Sequence, residues 1–142
     1  MPEAFVFEAE LVDHRGVRRT IAVAENQTLE DLHGALREAF EWWDDHLYSF
    51  WLDGEFWGDR ESEYTSPVEA ELGTKTADAA VASLDLRSGQ EIAYLFDFGD
   101  QWRVRLKLLE RRPAGREPLP AVADRVGAAP PQYVYDEDEL DR

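Results

Sequence analysis

Hydrophobic and polar residues alternate from the start of the chain. Over residues 4–12, Phe5, Phe7, Ala9 and Leu11 fall on one side and Glu8 and Glu10 on the other. That period of two marks a half-buried strand. After Asp13-His14-Arg15-Gly16, a second alternation sets Val17, Ile21 and Val23 against Arg18, Thr20 and Ala22. Pairing Leu11 with Val17 also brings Phe7 beside Ile21 and Glu10 beside Arg18. Both faces match, which predicts an opening hairpin in this register.

The period then changes. Leu29, Leu32, Leu36 and Phe40, with Ala35 and Ala39, form a stripe of helical spacing. Thr28 suits the N-cap, and Glu30 and Asp31 favour the positive end of the dipole. The spacing predicts a helix over 28–41, lying across one sheet face. Residues 46–52 are aromatic and strand-like, and Asp53-Gly54 is a favoured hairpin turn leading to a short returning strand near 55–58. From Gly58 to about Thr76 the pattern dissolves into Glu, Ser, Thr, Pro and Gly, and a helical turn is expected within 77–86.

A second hairpin occupies 91–110. Ile92, Tyr94, Phe96 and Phe98 alternate with Ala93, Leu95 and Asp97; beyond Gly99-Asp100, Trp102, Val104, Leu106 and Leu108 alternate with Arg103, Arg105 and Lys107. A two-residue turn would set aromatic against cationic side chains. An odd-length loop pairs Phe96 with Trp102 or Val104 and unites the apolar faces, so the pattern selects it. Arg103, Arg105 and Lys107 then point to solvent. The fold class is α+β: a mostly antiparallel, twisted sheet of five to six strands with the main helix on one face. Residues 1–110 form the domain. Residues 111–142, holding five of the seven prolines, read as a Pro- and Arg-rich extended arm and an acidic tail. Gln132-Tyr133-Val134-Tyr135 is placed to pin that arm back onto the domain.

Composition adds bounds. The 142 residues fit one domain, and five Trp, five Tyr and seven Phe supply a core. With no cysteine, a disulfide framework, a thiolate metal site and a cysteine nucleophile are all excluded. The acidic start lacks a signal-peptide pattern, and no stretch has the apolar length of a membrane span, so a cytoplasmic location is expected. The formal net charge is −16, from 31 acidic and 15 basic residues. Such a field repels nucleic-acid phosphates and anionic membranes, so direct nucleic-acid binding is not expected.

Candidate chemistry is sparse. Asp97-Phe98-Gly99 spells a kinase metal-binding element, but the glycine-rich loop, strand lysine and His-Arg-Asp segment are missing. It reads instead as a corner in which Gly99 supplies a permissive φ and Asp97 and Asp100 cap the loop. Trp42-Trp43-Asp44-Asp45-His46 is the densest polar-aromatic cluster, with His33 on the preceding helix. Two histidines and two carboxylates suit a divalent metal in type, yet no ligand pair has helical spacing, and His33 reads as a helix-edge residue bonded to a carbonyl. The serines, Ser66 among them, lie in no nucleophile elbow, and no phosphate-binding glycine motif occurs. No catalytic residue, metal site or cofactor is assigned. The candidate site residues are His33, Trp42, Asp44, Asp45, His46, Asp97, Asp100 and Trp102.

Two segments carry a resemblance. Leu32-His33 followed by Trp42-Trp43-Asp44-Asp45-His46-Leu47-Tyr48-Ser49-Phe50, and Tyr94-Leu95-Phe96-Asp97-Phe98-Gly99-Asp100-Gln101-Trp102, resemble in order the two signatures of the plasmid pRiA4b ORF-3-like family. The resemblance covers about 4–110 and implies an α+β fold in a mobile-element-associated microbial family with no established activity. Phe96 stands where that family often has Tyr, and the Arg-Pro tail replaces a segment often bearing Cys-Pro.

Three readings of function follow. The first is a non-catalytic interaction module with a protein partner, suggested by the missing catalytic spacings, the aromatic content and the Pro-rich arm. The second is a small hydrolase or metal-dependent enzyme using His33, His46, Asp44, Asp45 and the Asp97/Asp100 loop, which requires these groups to converge. The third is nucleic-acid association through Arg103, Arg105 and Lys107, or mimicry of nucleic acid by carboxylates.

Overall fold

Pairing across the opening hairpin follows the alternation residue by residue. The computed structural model of the protein describes residues 2–69 and 75–133. In it, β1 (Glu3–Leu11) runs antiparallel to β2 (Arg18–Ala24), with Phe7 opposite Ile21 and Glu10 opposite Arg18. The Leu11 amide donates to Val17 O at 3.2 Å, closing the turn. Phe5, Phe7, Ala9, Leu11, Ile21 and Val23 are all buried on one face.

The helix α1 (Leu29–Phe40) begins at the expected cap. Thr28 Oγ1 accepts from the Asp31 amide at 3.1 Å, and Asp31 Oδ2 accepts from the Thr28 amide at 2.9 Å. This capping box satisfies two amides that the first turn leaves unpaired. Leu29, Leu32, His33, Leu36 and Phe40 form the buried stripe against the sheet.

Among the described residues the sheet has eight strands, not five to six. The others are β3 (Tyr48–Trp51), β4 (Glu63–Thr65), β5 (Lys75–Thr76), β6 (Glu91–Phe96), β7 (Trp102–Pro113) and β8 (Ala121–Val126). Their order is β5-β4-β3-β6-β7-β1-β2-β8, antiparallel except for the short β4–β5 pair. The helical turn expected within 77–86 is a 3₁₀ turn at Val81–Leu84.

Two segments depart from the expectation. The strand near 55–58 does not form. Gly54 makes the predicted turn with φ +81°, but Trp57 takes a left-handed φ of 57° and the Gly58 amide bonds Glu55 O at 3.0 Å. The chain therefore turns twice before returning at β4. Residues 111–113 and 121–126, expected within an extended arm, are paired into the sheet. β7 continues beside β1 until Glu3 faces Pro113, and β8 pairs with β2 from Arg18–Val126 to Ala22–Ala121. Proline is tolerated because Pro113 ends its strand and β8 is an edge.

The predicted β6–β7 register holds, with Phe96 opposite Trp102 and Tyr94 opposite Val104 across a five-residue loop, 97–101. The helix-facing side is the main core. On the opposite side Trp51, Ala93 and Leu95 form a smaller cluster under Phe56 and Phe98. There Glu10 lies between Arg18 and Arg105, and Glu8 between Thr20 and Lys107. Opposite charges on neighbouring strands stabilise such a face modestly.

Candidate functional site

The end of α1, the start of β3 and the β6–β7 loop meet at one corner. They meet because β3 pairs with β6, setting Tyr48 opposite Phe96. One step beyond that pair, the Asp97 amide donates to Leu47 O at 2.9 Å. His46 Nε2 lies 3.6 Å from Asp97 Oδ2 and 2.7 Å from the Tyr133 hydroxyl. The two sequence segments that stand 44 residues apart, from Trp42–Phe50 to Tyr94–Trp102, are thus neighbours in space.

Behind this corner runs a buried polar chain. His33 Nε2 is 3.0 Å from Asp45 Oδ1, and Nδ1 is 2.7 Å from the Tyr94 hydroxyl. A neutral imidazole satisfies both contacts, with Nε2–H donating to the carboxylate and the phenol donating to Nδ1. Burial pushes the His33 imidazole down to about 4, against the opposing pull of Asp45. Its ring stacks on Tyr48 at 3.6 Å with a 12° interplanar angle. His33 is therefore an interior residue bonded to side chains, not a helix-edge residue bonded to a carbonyl. Its place four residues after Leu29, on the apolar stripe, forces it inward.

Asp45 ties this chain to the surface. Its Oδ1 also accepts from the His46 amide at 2.9 Å and lies 3.7 Å from Arg37 Nε. Arg37 in turn donates to the Trp42 and Trp43 carbonyls at 3.2 and 2.7 Å, holding the turn that aims Asp45. Asp44 is exposed; its backbone is gripped from both sides by the Gln132 side chain at 3.1 and 2.9 Å.

The 97–101 loop is a corner, but its strained positions are not the glycine. Asp97 and Gln101 take left-handed φ values of 64° and 53°, whereas Gly99 does not. Asp97 tolerates this because its own Oδ1 accepts from the Gly99 and Asp100 amides at 3.1 and 3.4 Å. Asp100 is exposed at the tip. Trp42 is a core residue, stacked on Phe96 at 4.7 Å and 8°. Trp102 is half-buried, tilted against Trp42 at 5.5 Å and stacked on His14 at 5.9 Å.

An open pocket of about 350 Å³ lies at this corner, lined by Asp45, His46, Leu47, Ser66 and Val68. Ser66 is buried in its wall, and its amide donates to Tyr48 O at 3.1 Å. Among the described residues, no three His, Asp or Glu side chains converge in the way a metal ion requires. No described helix is long and apolar enough to cross a membrane.

The family model for "plasmid pRiA4b ORF-3-like protein" matches residues 3–139. The chain belongs to this family. The match runs through β8 and past the 4–110 span of the two signatures. Among the relatives of this family member is "uncharacterized protein y4hQ" of Sinorhizobium fredii, 28% identical over 125 residues. That alignment takes 83% of the present chain and 59% of y4hQ, so the chain spans about three fifths of that relative's length. A crystal structure of a protein of unknown function, MM3350, from Methanosarcina mazei Go1 superposes with a TM-score of 0.75 at 23% identity. It covers 93% of this chain and 74% of MM3350, and shows the fold alone.

In this family member the structure gathers His33, Trp42, Asp44, Asp45, His46 and Asp97, and leaves Asp100 and Trp102 at the periphery. Sequence reasoning missed Leu47, Ser66 and Val68. Ser66 and Val68 sit in an unpatterned stretch, and nothing in their spacing ties them to His46. Of Gln132-Tyr133-Val134-Tyr135, the first two do pin the arm to the domain, and the last two lie outside the described residues. The cationic face is not bare. Arg103 lies 2.8 Å from Asp13 and Arg105 lies 3.5 Å from Glu91, while Lys107 faces Glu8 and Glu91 across its neighbouring strands.

Proposed function

We propose that the protein is a non-catalytic binding module that engages a polypeptide partner at the corner where its two signature segments meet. One observation carries this reading. Trp43, Leu47 and Val68 are 77%, 39% and 88% exposed, and the latter two wall a pocket otherwise lined by Asp45, His46 and Ser66. Large apolar side chains beside a concave polar pocket are the usual anchors of an interface. A volume of about 350 Å³ suits a single side chain or small group.

The Gln132–Tyr133 segment supports the same reading. Its amide side chain bonds the Asp44 backbone at both ends, and its phenol reaches His46. A side-chain amide that bonds a main-chain N–H and C=O, beside an aromatic anchor, is a contact set that a bound peptide can use. The Pro-rich arm lends no support, because β8 uses it within the sheet.

The enzymatic reading has one favourable observation: Ser66 and His46 line a common pocket, and His46 touches Asp97. Against it, the Asp97 and Tyr133 contacts both fall on Nε2, and no His46–Ser66 hydrogen bond prepares the hydroxyl among the described residues. Covalent labelling of Ser66 by a fluorophosphonate probe would favour hydrolysis.

The test is a selection from a random displayed-peptide library against the full chain. Enriched peptides are expected to lose binding to a Trp43→Ser/Leu47→Ser variant. No enrichment over an unrelated acidic protein, or enriched peptides indifferent to the double substitution, would sink the reading.

A further inference from the structure

The pocket is apolar at its rim and negative around it. Leu47 and Val68 form the rim, and Asp45 stands at the mouth with its side chain 61% exposed. All three described contacts of the Asp45 carboxylate, from His33, the His46 amide and Arg37, fall on Oδ1. The contacts therefore orient the group while directing none of these donors to Oδ2. An acid held this way is a preorganised acceptor.

The surrounding field has one dominant sign. The Tyr48 phenol, beside Ser66 in the pocket wall, is raised first by burial and then by Glu30 and Asp45. On the other side, Tyr133 is raised by loss of water and then by Asp44, Asp97 and Asp100. Five carboxylates thus act on the two phenols flanking His46 and Ser66. Arg37, the cation beside Asp45, has its guanidinium engaged by the Trp42 and Trp43 carbonyls. The whole chain carries −16, which draws a positive partner from a distance.

Building on the binding-module reading, we infer that the pocket receives the side chain of an arginine or lysine presented by a basic partner polypeptide. The aliphatic stem lies along Leu47 and Val68, and the cationic head donates to Asp45 Oδ2 and the Ser66 hydroxyl. Long basic side chains combine these two demands, because their methylenes cover apolar surface while the head keeps a polar partner. A neutral side chain of equal length gains only the stem contact. An acidic one meets the carboxylates.

The experiment follows backbone amide shifts of the full chain by NMR at fixed ionic strength during three titrations. The probes are N-acetyl-arginine methylamide, its citrulline counterpart and N-acetyl-glutamate methylamide. The arginine probe is expected to move the amides of Asp45, His46, Leu47, Ser66 and Val68 saturably, with Kd on the order of 1–10 mM. Asp45→Asn keeps an oxygen for His33 and the His46 amide, and is expected to weaken binding about fivefold to tenfold. Glu110→Gln, near the end of β7 away from the corner, is expected to leave it unchanged. Amide spectra that overlay away from the substitution establish that each variant is folded.

Equal response to citrulline, or an arginine response spread over the acidic surface and indifferent to Asp45→Asn, overturns the inference. The binding-module reading then survives if the selected peptides still map to this corner. A silent pocket in all three titrations also overturns the inference. If the peptide selection is empty as well, the module reading falls with it.

Discussion

His33 Nε2 lies 3.0 Å from Asp45 Oδ1, so a helix residue buried under the sheet is joined to a carboxylate at the mouth of the pocket. Burial dominates this pair and holds the imidazole neutral down to about pH 4. The unfolded chain protonates the same ring near its ordinary 6.5. Between those values the unfolded state binds the extra proton, so stability falls as pH falls and is fully present only above about 6.5.

The wild-type protein should therefore lose about 2 kcal/mol more stability between pH 7 and pH 5 than His33→Gln does. Denaturant midpoints of both proteins at both pH values check this. Equal losses would show that His33 does not carry the difference.

Asp97 combines a left-handed φ of 64° with a carboxylate that caps two amides. Asp97→Asn keeps the left-handed tolerance and the capping oxygen, and should cost less than about 1 kcal/mol. Asp97→Ala loses both and should cost about 2–3 kcal/mol. Equilibrium unfolding of the two variants gives the comparison, and a reversed order would contradict it.

Arg19 is a buried clip. Its guanidinium donates to Ala39 O at 2.9 Å, Val126 O at 2.9 Å and Gly127 O at 3.0 Å, tying β8 to the end of α1. Arg125 reaches the same Ala39 carbonyl at 3.0 Å. Arg19→Met keeps an apolar stem but removes the donor from the Val126 and Gly127 carbonyls, while Ala39 O keeps Arg125, and should cost about 2 kcal/mol. Hydrogen exchange should show β8 losing protection before β1 or β7.

Gly127 closes the same edge. A Cβ there would sit 2.6 Å from Gly16 O and 3.1 Å from Val17 Cα, at a φ of +79°. Backbone cannot yield as a flexible side chain does, so Gly127→Ala should cost about 2 kcal/mol or more and loosen β8. Gly115, where an added Cβ would meet nothing within 4 Å and φ is not positive, is the matched control. Its alanine variant should be neutral within about 0.5 kcal/mol in thermal unfolding.

Where the pattern had a period, structure was legible. The Phe7–Ile21 and Phe96–Trp102 pairings follow from matching faces, because a slip by one residue would turn each core side chain to water. The helix start followed from Thr28. β4 and β5 are too short to show a period, and β8 has only Val122 partly buried against the core. Its place is set by backbone pairing with β2 and by Arg19, which a reading of side-chain alternation does not see. The site was legible as two segments, since the Trp42–His46 cluster and the Asp97 loop stood out chemically. Their union depends on β3 pairing β6, and the rest of the pocket on a loop bearing Ser66 and Val68. The burial of His33 was present in the spacing from Leu29, and only its polarity disguised it.

The central pairing of β1 with β7 has a consequence for synthesis. β1 ends at Leu11 and its partner is complete only at Pro113. At translation speeds of about 5–20 residues per second, the second edge of β1 waits several seconds for its mate. During that time the nascent chain offers an open ladder of amides flanked by Phe5 and Phe7. The β1–β2 hairpin can close early, but the second edge of β1 can be sealed only after Pro113 has emerged. Production of this protein should therefore be sensitive to crowding of nascent chains and to the supply of chaperones that shield exposed strand edges.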